Sequence, residues 1–140
     1  MTRAMRIFFD ANILFSAAKS DGAIQSLVSR LLSAGHECWV DGYVIDEARR
    51  NIVAKAADRL PALEELLSRL SVSTAAAALG RTEPHGLPDK DRIVLAAAVV
   101  LKCDALLTGD RTHFGRLYGR SIAGVRIHSP RSLFSELFSP

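Results

Sequence analysis

LPDKDRIVLAAAVVLKCDALLTGDRTHF, the run from Leu87 to Phe114, changes character along its length. An acidic turn with Asp89 and Asp91 leads into a segment from Ile93 to Leu101 that is apolar on almost every side. A short apolar run, Ala105 to Leu107, follows, and Asp110 closes it. A helix without a polar face has to be enclosed, and a brief apolar run between turn signals suits a parallel strand covered on both faces. In open α/β sheets, ligands bind in the crevice beyond the carboxyl ends of the strands, which is where Asp110 falls.

Upstream, RIFFD (Arg6 to Asp10) repeats the pattern: three consecutive apolar residues, then an acid at the strand end. Asn12 stands where the chain turns into a helical segment, so its amide either caps that turn or reaches the Asp10 carboxylate. Ile24, Leu27, Val28, Leu31 and Leu32 recur at helical spacing between Gly22 and Gly35. Glu37 to Val40 reads as a second strand, and Asp41 caps a helix whose inner stripe is Val44, Ile45, Ala48 and Ile52. Glu47 lies beside that stripe, either simply favoured by the helix dipole or part of a site. Pro61 opens a further helix, and Ser71 to Thr74 is a candidate edge strand. AAAALGRTEPHGLP (75–88) loses all periodicity and reads as a surface loop. Downstream, Phe114 and Leu117 mark a short helix, and Val125 to His128 is a last strand. Ser129 and Pro130 then cap a closing helix. Such alternation implies right-handed crossovers and an α/β fold, a parallel sheet with helices on both faces.

Residues 1–140 read as one domain, and a hydrophobic fraction of 49% supplies a core without staples. A charged fraction of 24% and a mean hydropathy of +0.15 argue against disorder. Lys102 and Asp104 interrupt the longest apolar run before it could span a bilayer, and the amino terminus does not resemble a secretory signal. The expectation is a cytoplasmic protein with no membrane partner. Cys38 and Cys103 form no C-x-x-C pair; buried reduced thiols are the plain reading, a disulfide or metal pair the alternative. A net charge of +3 and a pI near 9.2 permit a polyanionic partner without requiring one.

If the first and fourth of these strands are neighbours, Asp10, Glu47, Asp91 and Asp110 meet at one rim. Carboxylates so crowded cannot all ionise cheaply unless a cation joins them, and oxygen-only ligation suits Mg²⁺ or Mn²⁺. No His or Cys is expected at ligand spacing nearby, which argues against zinc. An acidic metal site in a mildly basic chain suggests phosphodiester chemistry. Lys90, Arg92, Arg111 and His113 flank the acids as candidate RNA-binding groups, though each alone is equally a solvated surface charge. A phosphoacceptor or phosphatase domain is disfavoured, because residue 12 is Asn where such a site wants a second acid.

IFFDANILFSA, the acid in VIDEARRNI, DKDRIVLAAAVVLKCDALLTGD and the RTHF that follows resemble the PIN-domain nucleases, a family that includes the VapC-type toxins. The resemblance runs from Arg6 to the last helix. It implies a three-layer fold around a parallel sheet of about five strands. It also implies ligation of Mg²⁺ or Mn²⁺ by acids and hydrolysis of RNA by metal-activated water. By position, the family's catalytic acids fall on Asp10, Glu47, Asp91 and Asp110, with the metal held by Asp10, Asp91 and Asp110, and with Asn12 and Thr108 in support. Asp46 and Asp89 are the neighbouring alternatives to Glu47 and Asp91, and residue 109 is Gly where many toxins carry a basic or polar side chain. Membership would bring an RNA substrate, an antitoxin protein as partner for a toxin of a type II pair, and often a homodimer. A non-catalytic PIN-like module that binds RNA or protein is the competing reading.

Overall fold

Ile7, Phe8 and Phe9 are all fully buried in β1 (Arg6–Phe9), so this strand is covered on both faces. The computed structural model describes residues 3–74 and 87–138; most of the loop expected at 75–88 lies outside them. After β1 come α1 (Ala11–Lys19), α2 (Ala23–Ser33), β2 (Glu37–Asp41), α3 (Gly42–Lys55), α4 (Leu60–Leu67) and β3 (Ser71–Ser73). The second described part holds α5 (Asp89–Val100), β4 (Ala105–Leu107), α6 (Arg111–Phe114), β5 (Ser121–Ile122), β6 (Val125–His128) and α7 (Pro130–Phe138).

The strands form one six-stranded sheet in the order β3-β2-β1-β4-β6-β5. From β3 to β6 every pairing is parallel, with Ile7 opposite Cys38 on one side of β1 and Phe9 opposite Leu107 on the other. The parallel core of the sheet and its flanking helices match the α/β expectation. The sixth strand, β5, pairs antiparallel with β6 and was not foreseen. It has only Ser121 and Ile122, returned through Ala123 and Gly124 at φ 51 and 87, so no apolar run announces it.

The connection sequence reverses direction at the sheet's centre. From β1 the chain steps outward to β2 and β3, and from β4 it steps the other way to β6. A crevice therefore opens beyond the carboxyl ends of β1 and β4, at the switch point of the topology. Ala105, Leu106 and Leu107 are fully buried at its floor, and in α5 Val94 through Ala98 are buried, as a nearly all-apolar helix requires. α5 begins at Asp89, so the acidic turn is the helix's own first turn.

Candidate metal centre

Asp10 follows the last residue of β1 and caps α1, its Oδ1 accepting the Ala11 N–H at 2.8 Å. Its Oδ2 accepts from Thr108 Oγ1 at 2.9 Å and from Asn12 Nδ2 at 3.2 Å. Asn12 Oδ1 in turn accepts the Gly109 N–H at 2.8 Å, and Thr108 Oγ1 accepts the Asp110 N–H at 3.2 Å. Both uses foreseen for Asn12 narrow to one: the amide links the two strand ends, while Asp10 does the capping. A Cβ placed on Gly109 would meet Asn12 Oδ1 at an ordinary 3.5 Å, so the turn does not demand glycine there.

Asp91, in the first turn of α5, is only 4% exposed. Asp110 caps α6, its Oδ1 accepting the His113 N–H at 3.1 Å. His113 Nδ1 lies 2.8 Å from Asp110 Oδ2 and 2.9 Å from Asp91 Oδ2. A ring nitrogen carries at most one proton, so it can serve only one of these oxygens well. The aligned contact goes to Asp110, and Asp91 Oδ2 is left buried without a hydrogen bond.

Among the described residues, Asp91, Asp110 and His113 form the group whose ligand atoms all lie within 4.8 Å of one another. The expectation that no His stands at ligand spacing is therefore corrected. The signal was present in the sequence, because Asp110 and His113 are three apart and one turn of helix stacks such residues. Asp10 and Glu47 are not members of that tight group, yet the charge of Asp91 acts on Asp10 and that of Glu47 on both aspartates. Burial, first, raises the Asp10 pKa from 3.8 to about 6, with the Thr108 and Ala11 hydrogen bonds opposing and the charges of Asp91 and Glu47 adding to it. Asp91 is also raised, by burial first, while His113 opposes and Asp110 and Glu47 add. The structure thus brings all four acids to the same crevice, with Asp91 and Asp110 at its centre.

The neighbouring alternatives point away. Asp46 is exposed and influences Arg49, and Asp89 is exposed and pairs with Arg92 in the same helical turn. Arg92 is thereby engaged, and His113 is in the acid group rather than set out to meet phosphates. Lys90 and Arg111 are exposed at the rim, where Lys90 opposes the rise of the Asp91 pKa. The reading missed Tyr118, whose hydroxyl donates to the Thr108 carbonyl at 3.1 Å and braces the turn. Cys38 and Cys103 are buried free thiols, pushed up to about 12 by desolvation, so neither a disulfide nor a reactive thiolate forms.

The donor set fits a hard divalent cation. It offers carboxylate oxygens, one of them buried with nothing to bond, in a pocket where negative charge is already expensive. The imidazole beside them widens the range of ions that the chemistry allows.

Fold and crevice together define a PIN-like α/β domain with an acidic site at the switch point of its sheet. No family model matches the chain, and no curated protein matches it by sequence. Solved structures do match. A chain of VapBC2 from Rickettsia felis, crystallised with a DNA fragment from their promoter, is 18% identical with a TM-score of 0.68, over 89% of this chain and 98% of its own. A chain of the DNA-bound VapBC of Salmonella typhimurium is 18% identical at 0.64, over 90% and 98%. VapC20 of Mycobacterium tuberculosis, described as a sarcin-ricin loop cleaving toxin, is 13% identical at 0.57, over 86% and 98%. The chain is similar to these proteins in fold, which is the PIN-like fold that the sequence led us to expect.

Proposed function

We propose that this protein is a ribonuclease dependent on Mg²⁺ or Mn²⁺, hydrolysing RNA phosphodiester bonds, and the toxin of a type II toxin–antitoxin pair. The observation that carries the reading is the orphaned Asp91 Oδ2, buried 2.9 Å from a ring nitrogen that it shares with Asp110. Asp91, Asp110 and Asp10 would hold the ion, with His113 as a further donor at the same place. When bound, the ion supplies charge neutralisation at the phosphate and a lowered pKa for water.

The chain's own groups do the rest. Thr108 and Asn12 fix the Asp10 carboxylate so that its direction does not have to be set during the reaction. Glu47, half-buried and close enough for its charge to act on Asp91, would take the proton of an attacking water. Lys90 and Arg111 stand exposed where they can meet the flanking phosphates. The VapBC neighbours support an antitoxin partner, and one that covered this rim would answer its charge with a basic side chain.

Cleavage of a labelled single-stranded RNA tests the reading. We expect Mn²⁺-dependent cutting that EDTA stops and that Asp10→Asn and Asp110→Asn each reduce by at least about a hundredfold. Undiminished cutting in both variants would remove the nuclease, and RNA binding without any cutting in the wild type would leave a non-catalytic module.

A further inference from the structure

We propose that Lys19 and Lys55, gathered on the ring of Phe15, form a phosphate-binding subsite for the RNA strand about two helical turns from the acids; this rests on the nuclease reading above. The Lys19 ammonium lies 5.4 Å from the Phe15 ring centroid and the Lys55 ammonium 5.6 Å from the same centroid. The two lysines come from different helices, being the last residues of α1 and α3. A position at a helix carboxyl end favours each lysine separately through the dipole. It does not account for two like charges meeting on one half-buried ring.

Among the described residues, neither ammonium has a carboxylate within ion-pair distance; Asp21, close to Lys19 in sequence, is engaged by Arg59 at 3.3 Å. The ring attracts both cations through its face and holds them without neutralising them. A pair of fixed positive charges without a counter-ion suits an anion from outside the chain.

Position then selects the anion. α1 starts at the site, with Asn12 bonded to Asp10, and ends at Lys19; α3 carries Glu47 and ends at Lys55. Glu47 and Lys55 are eight residues apart on one helix, which is about 12 Å along its axis. A strand whose scissile phosphate lies at the acids therefore reaches the lysine pair after a short further run. There the subsite supplies attraction where the acidic crevice repels, and it sets the direction in which the strand is threaded.

The test is the salt dependence of binding of a fluorescent single-stranded oligoribonucleotide, followed by anisotropy in an Asp10→Asn background. Each phosphate neutralised on a single strand contributes about −0.7 to the slope of log affinity against log salt. Lys19→Gln combined with Lys55→Gln should therefore make the slope shallower by about 1.4. If the lines converge near 1 M salt, affinity at about 0.1 M falls by about 25-fold. Lys19→Arg with Lys55→Arg should restore both values, because the charge and its attraction to the ring persist. An unchanged slope in the glutamine variant overturns the subsite. The nuclease reading fails separately, if Asp10→Asn and Asp110→Asn both cut RNA like the wild type.

Discussion

Burial, with Asp91 and Glu47 nearby, lifts the Asp10 pKa to about 6 although Thr108 and Ala11 donate to it. In the unfolded chain the group returns to about 3.8, so between these values the native state holds more protons. Its contribution to stability is complete below pH 3.8 and is lost as pH rises through about 6, a change of about 3 kcal/mol. In EDTA, denaturation from pH 4 to pH 7.5 should show this component in the wild type. Asp10→Asn cannot ionise and should lack it; a constant stability difference between the two proteins would contradict the assignment. Thr108→Val argues the same chemistry from the other side. Its lost hydroxyl lowered the Asp10 pKa, so the acid limb of the cleavage profile should move to higher pH, with a larger loss of kcat/KM at pH 6.5 than at pH 8.

α5 ends in a way that its sequence does not advertise. Lys102 takes φ 56, and the Lys102 and Cys103 N–H groups close back on Val99 and Ala98, the left-handed termination that glycine usually supplies. Lys102→Gly should therefore stabilise the protein by about 0.5 to 1 kcal/mol, read from chemical denaturation. The elements themselves were legible where burial imposes a pattern. Ile7 to Phe9 and Ala105 to Leu107 gave strands because both faces are covered, and Leu27, Val28 and Leu31 gave a helix because one face is. Asp10 and Asp110 were legible as site candidates because each ends an apolar run at a strand's carboxyl end, and Asp91 because it opens a helix that is otherwise almost all apolar. His113 was read only as a phosphate contact, since α6 has just four residues and shows no periodicity from which to orient a ring. Spacing to the apolar stripe of α3 favours Glu47 over Asp46, and in the structure Glu47 is half-buried while Asp46 is exposed.

At the scale of the molecule, the sheet joins sequence-distant halves at its centre. β1 pairs with β4, and the Thr108 to Asp10 hydrogen bond closes a separation of 98 residues. Such non-local pairing makes folding slow, because loop closure comes before the contacts that reward it. A chain truncated before β4 should show no cooperative unfolding transition by circular dichroism, since the buried face of β1 lacks its neighbour. A sharp transition in the truncated chain would show that the first half folds independently.

The same central seam governs when the acidic crevice can form. Asp10 and Glu47 precede β4 in the chain and Asp110 follows it, so the crevice has no second wall until β4 joins β1. On the toxin reading proposed above, a nascent chain would lack a complete acid site until that pairing forms, which is when a co-translated inhibitor would first be needed.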